Sequence, residues 1–527
     1  MKHYKEYISN IIPCLGYGII CGSVTGVVIF FFRFAAKKLE ELSEYMYSTA
    51  AKSITGIVAV FCVLLIFACI MAFLQKKIPE VKGGGIPRCE GILRGILSFR
   101  RVRTLVGTVI GSFISFFFGL PLGSEGPAVI VGTSIGGICS GTDGNKSAWS
   151  RYVMTGGAAA GFAVATGSPL AAMLFALEEI HKRFTPMLVL TVSTSVLSAT
   201  YINKLLCAFS GMSPNMITAF AFPDFELDNV GYLLVLSVII ALAVGVFDAS
   251  IGYFGKLTKR IKRRIPDIFK LITVFLLTGI MGLFFREGAY SGHEIIDNIL
   301  SYGESLSLLF AVLTVRMIMM VLVTDSGATG GIFIPTLAIG ALVGAIGGRL
   351  LVFSGMPAEL FPSVVILGMC AFMGGTLRAP LTATVIFIEI TCRFTNFFYV
   401  ALVIFAVNFI TAVFNQTPFY DRVLENLEEQ QNEGKTPRLA LFRMKVSTGA
   451  FVVGKTVRDV MWPPSTVVVS IEREDSTTQD MDHDGEKKLF DGDTIILRSK
   501  IFDEKEIIKS LQGLVGEQYE IEEVSQM

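Results

Sequence analysis

Glu125 is a carboxylate set in apolar sequence. It lies within Gly123-Ser124-Glu125-Gly126-Pro127, between the apolar stretches Thr104–Leu120 and Ala128–Cys139. An ionisable side chain at membrane depth is costly, and so marks a functional position. Glycine on each side lets backbone N–H groups turn toward a small ligand. Pro127 is preset for the first turn of a helix, where its missing N–H costs nothing. A helix N-terminus, with free amides and the positive end of its dipole, is an anion site. Glu125 thus occupies the place of an anion, as a tethered anion that protonation could remove. The structural alternative is a glutamate salt-bridged inside a helix bundle.

Three further clusters bear on the same chemistry. Gly83-Gly84-Gly85-Ile86-Pro87 is an amide-rich turn leading into the stretch that begins at Arg88. Gly330-Gly331-Ile332-Phe333-Ile334-Pro335 opens another helix after glycines, and Asn415–Tyr420 places Tyr420 just beyond Pro418. Singly, each Gly/Pro cluster reads as a loop breaker. Together they offer three sets of N-terminal amides to one anion, and dipoles attract an ion without the trap that a full Lys or Arg charge would set. The sequence contains no nucleophile–base pair, phosphate-binding glycine loop or metal-ligand spacing, so neither enzymatic activity nor a cofactor is expected. An organic-anion carrier would place Arg or Lys in the central spans, where only Arg316 and Arg378 are candidates.

The elements that must hold these residues are membrane helices. The 527 residues are 52% hydrophobic and 17% charged, against about 25% charged in soluble domains. The net charge of +1 gives no reason to expect nucleic acid as a partner. Nine scattered cysteines lack a metal or CxxC pattern and read as reduced, packed thiols. Lys2, His3 and Lys5 precede the apolar Ile8–Phe32, which reads as a membrane helix with a cytoplasmic start and no cleavable signal. Long apolar spans recur near 54–75, 187–208, 230–252, 268–286, 306–324 and 396–414. Between them lie shorter segments broken by Gly and Pro at 104–120, 128–140, 152–165, 168–180, 333–347, 363–376 and 380–391. Segments that short cannot cross a bilayer of ~30 Å and must end inside the protein. The basic run from Lys256 to Arg264 marks a cytoplasmic loop.

The chain repeats itself. Pro127, Gly132 and Gly136 recur as Pro335, Gly340 and Gly344. Ser168-Pro169-Leu170 through Glu178 recurs as Ala379-Pro380-Leu381 through Glu389, and Gly157 recurs as Gly368. Repeats with interrupted helices in matching positions point to a substrate site at their interface. The expected division is a membrane domain over 1–425 with repeats at about 10–208 and 230–420, a charged linker at 426–436, a small α/β domain at 437–515 and a tail at 516–527. Strands are expected at Leu439–Val446, Thr466–Ile471 and Asp493–Leu497, with short helices at 455–461 and 503–512.

On these motifs the chain resembles the CLC family of anion channels and transporters across roughly residues 10–425. Gly123–Pro127 is similar to that family's GxEGP motif, whose glutamate is the outer gate. Gly331–Pro335 resembles its GxFxP motif, and Tyr420 falls at its anion-coordinating tyrosine. Glu179, in Glu178-Glu179-Ile180-His181, matches the inner proton-relay glutamate of the exchangers. Gly83–Pro87 corresponds to GSGIP, but with Gly84 where the family has a coordinating serine. The resemblance implies an all-α polytopic fold of two inverted repeats with broken re-entrant helices, carrying a small cytosolic α/β domain.

For function it implies exchange of chloride, or a similar monovalent anion, for protons. A passive gated channel of the same fold and a fluoride-selective exchanger are the alternatives, and loss of the serine hydroxyl leaves weaker anion discrimination as the expectation. Glu125 and Glu179 are the implied gating and proton-coupling residues. Gly84, Gly85, Ser124, Gly126, Ile332, Phe333, Ile334 and Tyr420 are the implied anion site, and Glu178 and Glu389 read as structural carboxylates. The resemblance further implies a homodimer, with an interface near 169–205 and 381–413, in a plasma (inner) membrane with both termini cytoplasmic. Residues 437–515 resemble the TrkA-C type of regulatory module through Gly449–Val460 and the Asp491-Gly492-Asp493 turn. Such modules dimerise and bind small ligands, including cyclic dinucleotides, so a small-molecule regulator is one expected partner and a ligand-free, stabilising dimer contact is the alternative.

Overall fold

A computed structural model of the protein describes residues 2–141, 145–182, 184–214, 222–261, 266–300, 305–414, 418–432, 438–463, 465–473, 478–480, 485–502 and 504–526. The first half runs α1 (Lys2–Ala50), α2 (Ile54–Lys77), α3 (Gly85–Leu93), α4 (Arg101–Phe117), α5 (Glu125–Ser140), α6 (Asn145–Thr166), α7 (Pro169–Phe175) and α8 (Pro186–Ser210). The second runs α9 (Val230–Ile261), α10 (Asp267–Phe284), α11 (His293–Leu300), α12 (Leu306–Ser326), α13 (Phe333–Phe353), α14 (Phe361–Leu377), α15 (Pro380–Thr391) and α16 (Phe397–Val413). Helix α17 (Phe419–Gln431) then leads toward the sheet. Among the described residues, eight helices are long and apolar enough to cross a membrane.

Three segments expected to be short are not: the one at 152–165 belongs to the 22-residue α6, Asn145–Thr166, and two others are full spans. The stretches taken as 333–347 and 363–376 form spans Phe333–Phe353 and Ala358–Leu377, 21 and 20 residues long. Gly and Pro suggested breaks there, but the glycines are packing contacts rather than stops. Those two spans are 78% and 94% buried, against 22% for Ile54–Lys77, so they form the centre of the bundle and leave the lipid-facing surface to others.

The repeat is built from glycine. A Cβ placed on Gly136 would lie 2.6 Å from Met154 Cα, and one on Gly132 would fall on the Gly157 carbonyl. In the second half a Cβ on Gly344 would lie 3.0 Å from Gly368 Cα, and one on Gly340 would meet Gly368 O at 2.9 Å. Helices α5 and α6, and likewise α13 and α14, therefore pack backbone to backbone, as small-residue interfaces allow where lipid offers no hydrophobic drive.

The two halves are also tied by crossed caps. Glu389 of α15 accepts from the amides of Leu170 and Ala171 at the start of α7 (2.8 and 2.9 Å). Glu178 accepts from the amides of Leu381 and Thr382 at the start of α15 (3.0 and 2.8 Å) and from the Thr382 hydroxyl (2.7 Å). Each repeat's carboxylate supplies acceptors for the orphan N–H groups of the other repeat's helix.

The C-terminal part is an antiparallel five-stranded sheet in the order β3-β2-β4-β1-β5, with β1 at Arg438–Lys445, β2 at Thr466–Glu472, β3 at Thr478–Asp480, β4 at Thr494–Ile501 and β5 at Tyr519–Gln526. Helix α18 (Glu504–Val515) precedes β5. Alternation of buried Ala440, Phe442 and Met444 on β1 gives the sheet its core face. Three boundaries differ from the sequence expectation. The charged stretch taken as a linker is helical to Gln431, residues 433–437 lie outside the described residues, and the segment taken as a tail supplies β5. The helix expected at 455–461 is a single turn at Val457–Asp459. Part of the basic run, 262–264, and residues 415–417 also lie outside the described residues.

Candidate functional site

Three helices begin in the same register. Gly85-Ile86-Pro87 opens α3, Glu125-Gly126-Pro127 opens α5 and Phe333-Ile334-Pro335 opens α13, so each carries proline as its third residue. Proline there removes an N–H that has no partner within the helix in any case. Helix α3 thus starts at Gly85, before Arg88. The first intrahelical bond of α5 runs from Ala128 N to Ser124 O (2.9 Å), and that of α13 from Thr336 N to Ile332 O (3.0 Å). The amides of Gly126, and of Ile332, Phe333 and Ile334, precede those bonds and have no partner within their own helices, while that of Glu125 turns toward its own carboxylate.

Glycine brings the three starts together. Gly123 and Gly331 exchange both backbone hydrogen bonds (2.6 and 2.7 Å). A Cβ on Gly126 would lie 2.8 Å from Gly331 Cα, and one on Gly85 would fall on the Gly126 carbonyl. Only glycine permits this approach. Gly84 differs: it has an extended backbone (φ −71, ψ 129), and a Cβ there would find its nearest neighbour, Gly330 O, at 3.6 Å.

Glu125 is fully buried as the first residue of α5. Its Oε1 accepts from the Ser124 hydroxyl at 3.1 Å, while its Oε2 has no hydrogen-bond partner among the described residues. Tyr420, second residue of α17, is also fully buried, and its hydroxyl has no partner among the described residues. Buried polar atoms are nearly always satisfied, so such groups point to a ligand. The Tyr420 side chain lies within electrostatic reach of Glu179, Glu125 and Glu90. The Phe333 ring packs against Phe162 at 4.9 Å and Phe175 at 6.4 Å between centroids, giving the site an apolar wall.

Glu179 sits in a π-helical turn, Ala176–Ile180, that follows α7. Widened turns of this kind recur at functional sites. Here the turn sends Glu178 to cap α15 and keeps Glu179 buried, its Oε1 unpartnered among the described residues. Glu178 and Glu389 are structural carboxylates, bonded to backbone amides.

The sequence reading passed over several charged neighbours. Glu90 is buried in α3 and pairs with Arg94 (2.8 Å) and Lys182 (3.7 Å). Lys182 pairs with Asp421 at 2.7 Å, which joins the Glu179 loop to the residue after Tyr420. On another side, Arg33 and Glu40 of α1 lie within electrostatic reach of Glu125. A carboxylate in the apolar Gly85–Leu93 run was a legible signal for Glu90; the others sit where charge is ordinary. Arg316 is occupied elsewhere, donating to the carbonyls of Glu287 and Ala289 (3.0 and 2.8 Å). Arg378 terminates α14 in a left-handed conformation.

Helices of this topology around paired, glycine-linked N-termini define a CLC-type membrane protein. The model of the family described as voltage gated chloride channel matches residues 66–412, about two-thirds of the chain, and the protein belongs to that family. Among curated relatives, the H(+)/Cl(-) exchange transporter ClcA of Salmonella paratyphi B is 29% identical over 387 residues, 71% of this chain and 79% of that protein. The ClcA of Salmonella newport matches equally. The solved structure of a slow cyanobacterial Cl-/H+ antiporter superposes with a TM-score of 0.73 at 25% identity, covering 80% of this chain and 99% of that one. A CLC-type fluoride/proton antiporter superposes with a TM-score of 0.62 at 20% identity, covering 76% and 95%, which is a likeness of fold.

Proposed function

We propose that this protein exchanges chloride for protons across the membrane. The observation that carries this reading is Glu125: a fully buried carboxylate on the first residue of α5, with one oxygen unpartnered among the described residues, where the starts of two other helices come close. Chloride binds between the amides of Ile332, Phe333 and Ile334, the Gly84–Gly85 turn and the Tyr420 hydroxyl. Ionised Glu125 competes for the neighbouring amides of Ser124–Gly126 and closes the path. Protonation removes its charge, releases it from those amides and admits an anion. Glu179 holds the proton on the inner side. Because one carboxylate and the anion compete for the same donors, inward proton movement is tied to outward anion movement.

The two-glutamate arrangement and the ClcA relatives support exchange over passive conduction. Gly84 removes a hydroxyl ligand, so discrimination among chloride, nitrate and fluoride rests on amides and Tyr420. The protein is taken to sit in the plasma membrane of a prokaryote with both termini inside, as a homodimer joined through the exposed apolar faces of α8 and α16, such as Leu197, Tyr201, Phe405 and Phe409. The sheet domain, residues 437–515 with β5, is taken as a TrkA-C-type regulatory module.

The deciding measurement is proton flux driven by chloride, nitrate and fluoride gradients in liposomes, wild type against Glu179→Ala. Uphill proton pumping by chloride that vanishes in Glu179→Ala while anion flux persists supports exchange. Anion flux with no proton movement in the wild type makes the protein a channel, and a fluoride-only response makes it a fluoride exchanger.

A further inference from the structure

Glu40, near the far end of α1, is a carboxylate that the exchange scheme leaves unused. Helices α1 and α5 pack side by side: a Cβ on Gly132 would lie 3.3 Å from the Thr25 methyl, and Ile29 shares a core cluster with Ala128. Continuing that antiparallel register brings Phe32 and Arg33 level with Glu125. Arg33 is fixed there by its bond to Val164 O (2.8 Å). Glu40 lies two turns further out on the same face of α1, roughly 12 Å along the axis from the level of Glu125 at 1.5 Å per residue. One turn beyond, the Ser43 and Tyr290 hydroxyls meet at 3.3 Å, and the Tyr47 hydroxyl donates to Phe118 O at 2.9 Å. The Tyr290 amide donates to Gly119 O (2.8 Å), four residues before Gly123. The outer end of α1 therefore rests on the loop that carries Glu125.

A pocket of about 200 Å³ opens here. Helix α4 starts at Arg101, on the sheet-domain side, and ends at Phe117, so the pocket lies on the opposite face of the bundle. Glu40, Glu44, Glu287 and Glu294 line it against two cations, Arg286 and Arg316. Arg286 pairs with both Glu44 and Glu294 (2.6 and 2.9 Å), and Arg316 is engaged by the Glu287 and Ala289 carbonyls. His293, on the same wall, is pulled down to about 4 by burial and stays neutral near pH 7. Glu40 has neither a hydrogen bond nor an ion pair among the described residues. The charged groups within its electrostatic reach are Lys37, Glu44, Glu294 and Glu125.

We propose that Glu40 is the outer proton-relay carboxylate, passing protons between this pocket and Glu125. The proposal rests on the exchange reading above. Four carboxylates against two cations disfavour chloride and gather protons. The pocket has room for about six waters, enough for one or two to bridge the two glutamates. A free hydronium would have to approach Glu125 past Arg33, whereas a neutral carboxylic acid meets no such repulsion. In the inward direction the Glu40 O–H bond breaks and, through the bridging water, an O–H bond forms on ionised Glu125. Glu40, left ionised, is reprotonated from solvent.

The test is exchange rate against pH in liposomes, with the full-length chain and equal pH on both sides. Glu40→Gln should fall at least about 5-fold below wild type at about pH 7.5, where free protons are scarce, and stay within about 2-fold at about pH 5, where hydronium suffices. Glu40→Asp should keep part of the rate. Imidazole in both compartments, a small buffer able to carry the proton instead, should restore Glu40→Gln toward wild type. Added to Glu125→Gln, the substitution should not lower anion flux further, because the acceptor of its proton is gone. A Glu40→Gln protein at the wild-type rate near pH 7.5 overturns the proposal. So does an equal loss at both pH values, or a further loss of anion flux in the Glu125→Gln background, since either marks an effect on structure or on the anion path. If the wild type carries chloride with no proton movement, the exchange reading falls by itself. The relay is then read in the pH dependence of that chloride flux: its alkaline fall should begin at lower pH in Glu40→Gln, and an unchanged profile overturns the relay.

Discussion

Glu125 and Gly84 carry opposite lessons about the same pocket. At Glu125 the chemistry is the carboxylate's charge, since Gln keeps the shape and cannot ionise. Glu125→Gln is expected to leave anion flux intact, to abolish its pH dependence and to lower proton coupling by more than about 10-fold, the scale of one lost charge–dipole interaction. Liposome flux measured across the acid-to-neutral range checks this; retained coupling would count against the gate. At Gly84 the pocket has room. With the nearest atom 3.6 Å from an added Cβ and φ already at −71, Gly84→Ser should fold with a stability change within about 0.5 kcal/mol and return a hydroxyl to the anion. The chloride-to-nitrate permeability ratio is expected to rise several-fold, and an unchanged ratio would place the anion elsewhere. Gly85→Ala is the contrast, because its methyl falls on the Gly126 carbonyl and should cost about 1–3 kcal/mol or prevent expression.

At the scale of elements, two carboxylates hold two helix starts across the repeat. Glu389→Ala removes both acceptors from the Leu170 and Ala171 amides and should destabilise by about 1–2 kcal/mol, read as a lower unfolding midpoint in detergent. Glu178→Ala should do the same at α15 and also free the π turn that presents Glu179, so it alone is expected to reduce proton coupling. Equal coupling in the two variants would make the turn irrelevant to Glu179. Both glutamates were legible as a repeated pair. That each serves the opposite half was not, because a sequence repeat states equivalence and says nothing about which copy touches which.

At the scale of the whole molecule, the sheet domain is fastened to the bundle by backbone acceptors. Arg151 donates to the carbonyls of Met461 and Trp462 (3.1 and 2.9 Å), and the Tyr152 hydroxyl to Asp459 O (2.5 Å). Close by, Lys455 is buried against Phe451, and burial pulls its ammonium down from its ordinary range to about 8. A lysine whose folded value is lowered disfavours folding below that value, and the penalty is relieved as pH rises from about 8 toward the unfolded value of 10.5. The penalty at neutral pH is up to about 3 kcal/mol. Lys455→Met should therefore raise the midpoint of the sheet domain at pH 7 and flatten its increase between pH 8 and 10. Thermal melts followed by Trp462 emission in a Trp149→Phe background test this, and a variant less stable at pH 7 would show the lysine to be a net support.

The sequence by itself determined the membrane class, the three Gly-then-Pro helix starts and the repeat, and it singled out Glu125, because charge in an apolar run and periodic glycine are local signals; Glu179 and Tyr420 were singled out only by the resemblance to the CLC family. It misjudged the lengths of the helices from Phe333 and Phe361, where buried glycine packs against a neighbouring backbone. Only the tertiary structure decided that Gly123 pairs with Gly331, that the caps cross between halves, that a π turn divides the tasks of Glu178 and Glu179, and that Lys182 bridges Glu90 and Asp421. Those are contacts between residues up to 239 positions apart, and a local pattern carries no information on which distant partner closes them.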